Sequence, residues 1–91
     1  MIKSFSDSAW ADYEYWFQQN DKTILKRIHK LLKDIETNGN SGIGKPEPLK
    51  FDLSGWWSRR INDEHRIVYR INHNESNDTI EILQLRYHYD K

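Results

Sequence analysis

The chain has 91 residues, with fourteen Lys and Arg, fourteen Asp and Glu and no cysteine. That length fits a single domain, residues 1–91, whose core is only just large enough to fold alone. The balanced charge argues against a strongly basic polyanion binder, and the lack of cysteine excludes disulfides and thiolate metal sites. No apolar run approaches the roughly 18 residues of a membrane span and no signal-peptide pattern opens the chain, so we expect a cytoplasmic protein without membrane contact.

The charges are distributed unevenly along the chain. Residues 21–37 carry five cations and three acids and residues 45–70 carry six and four, so each range has a net charge of +2. By the same count, residues 1–20 and 71–91 each have a net charge of −2. A basic middle between acidic ends can focus a local field without making the whole surface basic.

A short strand and a first helix are predicted at the N-terminus. Residues 1–5 are partly apolar and suit an edge strand. Ser6 and Asp7 then offer an N-cap, and aromatic residues recur at helical spacing from Trp10 onward, which predicts a helix over residues 8–19.

A second, more strongly amphipathic helix follows directly. Asp21 is a suitable cap, apolar residues then recur with a period of about 3.6, and lysines occupy the opposite face. Asn38 and Gly39 end this helix, and the short connection predicts that the two helices form an antiparallel hairpin.

Beyond a loop rich in glycine and proline, the apolar period changes from about 3.6 to about 2. In the strand that includes Arg66, Ile67 and Tyr69 are expected in the core and Arg66 on the other face. The expected fold class is α+β: an N-terminal strand and a two-helix antiparallel hairpin packed on one face of a mainly antiparallel twisted sheet. The strands predicted after the helices cover residues 49–53, 56–61, 65–71 and 79–87.

Two stretches concentrate side chains that suit the chemistry of a phosphodiester, residues 45–69 and 86–89. Together they supply a carboxylate that can act as a base, several cations, an imidazole and aromatic rings. The candidates are Glu47, Lys50, Arg59, Arg60, Arg66, His88 and Tyr89.

Each candidate also has an ordinary structural interpretation. A loop carboxylate such as Glu47 is usually solvated, and charged residues of an exposed strand form a solvated face as often as they contact phosphate. Because neighbours in a strand alternate, only one of Arg59 and Arg60 can point to the face of Arg66, and only one of the two adjacent tryptophans should be core. Tyr87 is expected to belong to the core.

Five motifs run nearly from end to end of the chain: WADYEYW, GKPEPLK, LSGWWSRRI, EHRIVY and RYHY. In these motifs the chain resembles the YoeB toxins of the RelE/ParE superfamily, the ribosome-dependent mRNA interferases of bacterial toxin–antitoxin pairs. The resemblance implies a small microbial-ribonuclease-like α+β fold, in agreement with the pattern of elements. It also implies cleavage of mRNA in the ribosomal A site, leaving a 2′,3′-cyclic phosphate and a 5′-hydroxyl, without metal or cofactor.

The same resemblance implies the roles of the candidates. Glu47 matches the general base, Arg66 the arginine that stabilises the transition state, and His88 the general acid. Tyr89 matches a residue that contacts or stacks on the substrate. The expected phosphate contacts, to the substrate or to ribosomal RNA, are Lys50, Arg59 and Arg60.

The resemblance further implies partners. A cognate YefM-like antitoxin is expected to fold an acidic segment along the protein and to block or distort the site, and the ribosome and mRNA are expected partners. A homodimer is compatible with the sequence. Two other functions stay open: a non-catalytic ParE-like toxin that binds DNA gyrase, and an RNA-binding module without turnover.

Overall fold

The computed structural model of the protein describes residues 1–87. Within this part of the chain, one strand precedes two helices and four strands follow them. The elements are β1 (Ile2–Phe5), α1 (Asp7–Gln18), α2 (Lys22–Asn38), β2 (Glu47–Pro48), β3 (Trp57–Arg60), β4 (Arg66–Asn72) and β5 (Thr79–Gln84). Neither of these two helices is long and apolar enough to cross a bilayer.

The described strands form one sheet in the order β1–β5–β4–β3–β2. β1 runs parallel to β5, and the other neighbouring pairs are antiparallel. Side chains of both helices and of β3, β4 and β5 share one apolar core. This arrangement confirms the predicted α+β class, with an N-terminal edge strand and a helical hairpin on a mainly antiparallel sheet.

Side-chain caps set where both helices begin, as the sequence predicts. The Ser6 hydroxyl accepts a hydrogen bond from the Ala9 amide at 3.0 Å, and the Asp21 carboxylate accepts one from the Ile24 amide at 3.1 Å. Gly39 ends α2 with a φ of 66°, a left-handed conformation that glycine adopts without strain.

The core lies between the two helices and the sheet. The apolar period of α2 and the alternation within β4 correctly predicted its main members, because each pattern places one face of its element against the other layer. Fully or almost fully buried side chains include Ile28, Leu31, Ile35, Ile67, Tyr69, Ile80 and Ile82.

The strand predicted over residues 49–53 is wrong. A single 3-10 turn, Phe51–Leu53, occupies most of this range. Phe51 has a φ of 57°, which lies in the left-handed region and cannot continue a β-ladder. The Leu53 amide donates to the Lys50 carbonyl at 3.1 Å and closes a tight turn that the alternation of side chains does not reveal.

The last strand is also shorter than predicted, because β5 ends at Gln84 rather than at Tyr87. At Leu85 the backbone bonds to side chains of α1 instead of a neighbouring strand. The Leu85 amide donates to Asp12 Oδ2 at 2.9 Å, and the Leu85 carbonyl accepts from Trp16 Nε1 at 3.0 Å. Hydrophobic alternation cannot distinguish such side-chain partners from a continuing ladder.

One charged side chain, Arg59, lies inside the core with no exposed surface. Its guanidinium donates to the Asp34 carboxylate at 2.5 Å and to the Tyr69 hydroxyl at 3.2 Å. It also donates to three carbonyls of the loop after α2, those of Gly39, Ser41 and Ile43, at 2.6, 2.8 and 3.1 Å. These acceptors match the number of its N–H groups, which is the condition for burying a cation without a large desolvation penalty.

The Arg59 contacts change the protonation of their partners. The hydrogen bond from Arg59, helped by one from the Ile43 amide, lowers the pKa of Asp34 although partial burial opposes the shift. Burial raises the pKa of the Tyr69 hydroxyl, against the smaller opposing effect of the hydrogen bond from Arg59. At neutral pH the cluster therefore consists of a charged Asp34–Arg59 pair and a neutral Tyr69.

Replacing Arg59 is expected to destabilise the protein strongly. Arg59→Leu leaves the Asp34 carboxylate and several loop carbonyls without their donor, which should reduce the free energy of unfolding by about 3 kcal/mol. Urea denaturation measures this loss. The matched control is Arg70→Leu, because Arg70 pairs with Glu81 on the surface and should contribute less than about 1 kcal/mol. Equal, small losses in both variants would show that the buried cluster is not a stabilising centre.

The lowered pKa of Asp34 is expected to make stability depend on acid pH. The unfolded carboxyl titrates near its ordinary value of 3.8 and the folded one lower, so the unfolded chain binds more protons in acid. Stability from the pair with Arg59 is complete above the unfolded pKa and is lost as the pH falls through the folded pKa. In a plot of urea midpoint against pH, Asp34→Asn and Arg59→Leu should both flatten the acid limb. An acid limb as steep in Asp34→Asn as in the parent chain would refute the assignment.

Candidate active site

The register of β3 against β4 decides which arginines share a face of the sheet. Arg59 lies opposite Ile67, and Arg60 lies opposite Arg66. Opposed residues of an antiparallel pair project to the same face, and successive residues project to opposite faces. Arg59 therefore points with Ile67 toward the helices, whereas Arg60 and Arg66 project together from the open face of the sheet.

The expectation that Arg59 contacts a substrate is wrong. Its guanidinium is fully buried and is engaged by Asp34, Tyr69 and the loop after α2. Arg59 instead holds the loop that leads to Glu47. Between the two adjacent arginines, the register leaves Arg60 as the one on the face of Arg66.

Glu47 is exposed at the edge of the same open face. It pairs with Ser58 of β3, and Ser58 lies opposite Val68, two residues beyond Arg66 in β4. Two strand spacings and two residues of rise place the Cα atoms of Glu47 and Arg66 roughly 12 Å apart. Glu47 and Arg66 therefore lie on one face of the sheet, separated by the width of β3.

The backbone that carries Glu47 is stiff. Gly44 has a φ of 80°, its carbonyl accepts a hydrogen bond from the Arg60 amide at 2.6 Å, and a Cβ at this position would lie 3.2 Å from the Arg60 carbonyl oxygen. Pro46 and Pro48 then restrict φ on both sides of Glu47. The backbone around Glu47 therefore loses little conformational entropy when the carboxylate binds a ligand.

Arg66 lies at the start of β4 and is half-buried. Its Nη1 donates to the Asn62 carbonyl at 3.4 Å, and its side chain lines a cleft of about 320 Å³ with Asp63, Glu64 and Tyr87. The expectation that Tyr87 belongs to the core is corrected, because the ring is half-buried and borders this cleft. Chain direction alone could not show that the segment turns toward Arg66 after β5.

Two further cations lie near these residues. Arg60 is half-buried, and its Nε is buried without a hydrogen-bond partner among residues 1–87. Lys50 is exposed at the turn that follows β2. Buried donors in folded proteins are normally satisfied, so the Arg60 Nε is an exception within the described part of the chain.

Aromatic residues flank this side of the sheet. Trp57 packs against the core, whereas the Trp56 ring is half-exposed and lies 4.4 Å from the Arg70 guanidinium. This division confirms that only one of the adjacent tryptophans is core. Phe51 is 92% exposed next to Lys50. The sequence interpretation did not predict this exposure, because it placed Phe51 in a strand and not in a left-handed turn.

Sequence reasoning also missed the side chains that bind the backbone just before His88. The His65 Nδ1 accepts a hydrogen bond from the Tyr87 amide at 2.9 Å, and the His65 ring packs edge-to-face on Trp16. The pairing of His65 with Tyr87 requires the fold, because the two residues lie 22 positions apart in the sequence. His88 and Tyr89 lie outside the described residues, so their roles stay predictions.

The described part of the site joins a stiffly held carboxylate and two guanidinium groups on one open surface. A carboxylate of this kind can take a proton from a hydroxyl, and guanidinium groups can stabilise an anionic phosphorus centre. No group of three or more His, Cys, Asp or Glu within residues 1–87 could hold a metal ion.

Sequence comparison finds close relatives of the whole chain. The family model described as the YoeB-like toxin of a bacterial type II toxin–antitoxin system matches residues 5–89. The chain is 52% identical over 88 residues to the toxin YoeB of Synechocystis sp., covering 97% of this chain and 96% of that relative. It is 49% identical over 85 residues to the toxin YoeB of Escherichia coli K12, covering 93% of this chain and 95% of that relative.

Structural comparison agrees with the sequence. The fold matches a YoeB/ParE toxin from Agrobacterium tumefaciens with a TM-score of 0.89 at 42% identity, covering 98% of this chain and 100% of that chain. It also matches YoeB in a heterotetrameric YoeB–YefM complex from Staphylococcus aureus, with a TM-score of 0.86 at 50% identity and 98% coverage of both chains. A YoeB dimer from the same organism gives a TM-score of 0.84 at 50% identity, again covering 98% of both.

Proposed function

The chain belongs to the YoeB-like toxins of bacterial type II toxin–antitoxin systems, and we propose that it is a ribosome-dependent endoribonuclease of the cytoplasm. In this proposal it cleaves mRNA in the ribosomal A site and so inhibits translation. The substrate supplies its own nucleophile, the ribose 2′-hydroxyl, and the protein supplies a base, an acid and positive charge without a metal ion.

The observation that carries the proposal is the register of three strands. Glu47 of β2, Arg60 of β3 and Arg66 of β4 project from one open face, whereas Arg59, chemically identical to Arg60, is buried under the helices. A surface that served only to bind polyanions would not need a stiffly held carboxylate on the same face as its guanidinium groups. A carboxylate at this place repels phosphate unless it takes a proton from the substrate.

The proposed reaction is a transesterification followed by release. The Glu47 carboxylate takes the proton of the 2′-hydroxyl as O2′ bonds to phosphorus, and the bond between phosphorus and O5′ breaks. The Arg66 guanidinium donates to the phosphoryl oxygens, on which negative charge accumulates. His88 gives a proton to O5′, so that the products are a 2′,3′-cyclic phosphate and a 5′-hydroxyl.

The remaining candidates are proposed to bind rather than to react. Arg60 and Lys50 contact phosphates beside the scissile bond, and the register that places Arg60 opposite Arg66 supports the assignment of Arg60. Tyr89 is proposed to stack on a base of the substrate, a contact that tolerates any base because every base has a π-face.

The openness of the site gives a physical reason for dependence on the ribosome. Attack of the 2′-hydroxyl requires alignment of O2′, phosphorus and O5′. A flat sheet surface makes few contacts that could hold a nucleotide in this alignment. The ribosome holds the message in its A site and can present a splayed nucleotide in that geometry. The toxin then adds the proton transfers and charge.

The catalytic assignment is tested by primer extension on a message with and without assembled ribosomes. We expect cuts only with ribosomes, and losses in cleavage rate of roughly 10²-fold to 10⁴-fold in Glu47→Ala and His88→Ala because each removes a proton-transfer group. Arg66→Ala should lose roughly 10²-fold to 10³-fold, as does loss of one preorganised donor. Arg60→Ala should mainly raise KM.

Matched controls use the same residue types outside the site. Arg70 lies in the same strand as Arg66 and pairs with Glu81, and His73 lies in a loop beside Asp78. Arg70→Ala and His73→Ala should keep cleavage close to that of the parent chain. Undiminished cleavage in all of the site variants would remove the residue assignments, and inhibition of DNA supercoiling with normal translation would favour gyrase binding instead. RNA binding without a cyclic phosphate product would indicate a module without turnover.

We further propose that the partner is a YefM-like antitoxin and that the chain can form a homodimer. Both proposals rest on the S. aureus relatives, which were solved as a YoeB–YefM complex and as a YoeB dimer. The structure adds a groove of about 450 Å³ between β1, α1 and α2, in which Phe5, Trp10 and Tyr13 lie beside charged side chains of β1 and α2. Trp10 is 49% exposed there, an amount of open aromatic surface that suits a protein contact.

Binding of the antitoxin is expected to raise the melting temperature. A ligand that binds only the folded chain adds about 2.7 kcal/mol of stability at a free concentration one hundred times its Kd. Thermal unfolding should therefore be followed at increasing concentrations of the antitoxin, with a peptide of the same composition in scrambled order as control. A melting temperature that does not change with antitoxin concentration would contradict the proposed partnership.

A further inference from the structure

The backbone between β5 and His88 is held by side chains rather than by a strand. The Leu85 amide and carbonyl bond to Asp12 and Trp16 of α1, and the Tyr87 amide donates to His65 Nδ1 at 2.9 Å. The Arg86 guanidinium between these anchors lies 3.7 Å from the centre of the Tyr15 ring. Consecutive residues of this segment are therefore fixed from two directions up to the residue that precedes His88.

His65 is itself fixed before it meets Tyr87. Its ring lies edge-to-face on Trp16, with 4.7 Å between the ring centres and 78° between the planes, and its side chain is only 12% exposed. Its amide donates to Asn62 Oδ1 at 2.7 Å, and its carbonyl accepts from the Ile61 amide at 2.9 Å. Because both the backbone and the ring of His65 are restrained, the group that its ring binds, the Tyr87 amide, is restrained as well.

The hydrogen bond also defines the tautomer of the ring. Nδ1 faces a backbone N–H and must act as the acceptor, so the proton of the neutral imidazole is on Nε2. Nε2 lies 3.7 Å from Glu64 Oε1, on the solvent side of the ring. Glu64 and Tyr87, the partners of the two ring nitrogens, both line the cleft that Arg66 borders.

We infer that His65 is a positioning residue, which anchors the Tyr87 amide through Nδ1 and thereby restrains the backbone that leads into His88, the proposed acid. His65 immediately precedes Arg66, the first residue of β4, so the anchor of this segment and a cation of the site are adjacent in the chain. The inference rests on the proposed function, in which His88 donates the proton to O5′. Errors of about 1 Å in the placement of a reacting group can reduce a rate by up to 10²-fold.

Two substitutions separate this role from ordinary packing. His65→Phe keeps an aromatic ring against Trp16 and removes the acceptor, whereas His65→Asn keeps an acceptor oxygen near the place of Nδ1 and removes the ring. If His65 only stabilises the fold, activity follows stability and the Phe variant is the better enzyme. If it positions the His88 segment, the order is reversed: the more stable variant is the slower one.

The experiment measures ribosome-dependent cleavage, melting temperature and hydrogen exchange of the Tyr87 amide in both variants. We expect His65→Phe to lose about tenfold in kcat, the upper range for one hydrogen bond, with KM within about twofold of the parent. His65→Asn should stay within about threefold in kcat, and exchange of the Tyr87 amide should accelerate only in His65→Phe. A kcat in His65→Phe equal to that of the parent, or a lower one in His65→Asn than in His65→Phe, would overturn the inference.

Failure of the proposed function would look different. In that case the parent chain would make no cut on ribosomes, and no variant could be ranked by rate. Exchange of the Tyr87 amide needs no substrate and would still show whether His65 anchors this segment. If the parent cleaves, and the Tyr87 amide exchanges equally in all three proteins, the anchor is refuted while the proposed function stands.

Discussion

The structure depends on one buried cation. Arg59 holds Asp34 of α2, Tyr69 of β4 and the loop after α2, so it ties together the helical layer, the sheet and the segment that carries Glu47. A guanidinium can occupy such a place because its planar fork reaches several acceptors at once, and a Lys ammonium could not. Burying Arg59 also fixes the orientation of β3, because the strand cannot rotate without exposing this cluster, and the next residue, Arg60, must then face the open side.

Local sequence patterns predicted the parts of the fold that local physics determines. The helices were predicted closely because their caps and their apolar period act within a few residues of the chain. The strand expected over residues 49–53 was wrong because a left-handed Phe51 turns the chain, and the last strand ended early because Leu85 bonds to Asp12 and Trp16. Those partners lie more than sixty residues away in sequence, and no pattern of apolar and polar letters near Leu85 indicates them.

The site was predictable as a set of residue types and not as an arrangement. Alternation showed that Arg59 and Arg60 must differ, but it could not choose between them, since the usual preference of Arg for the surface applies equally to both. The choice is made by acceptors that come together only in the folded chain, namely the Asp34 carboxylate and three loop carbonyls. The role of His65 was missed for the same reason, because its partner is a backbone amide 22 residues further along the chain.

The same geometry explains how two motifs can each serve both scaffold and site. Arg59 and Arg60 are adjacent in β3 and face opposite sides, so one guanidinium enters the core and the other projects from the open face. His65, the residue before β4, holds the C-terminal segment, and Arg66, the first residue of β4, presents a cation. A motif shared with relatives therefore does not assign a chemical role to every letter in it. Register assigns those roles: the residues that share a face with Glu47 are candidates for chemistry, and their immediate neighbours maintain the geometry on which that chemistry depends.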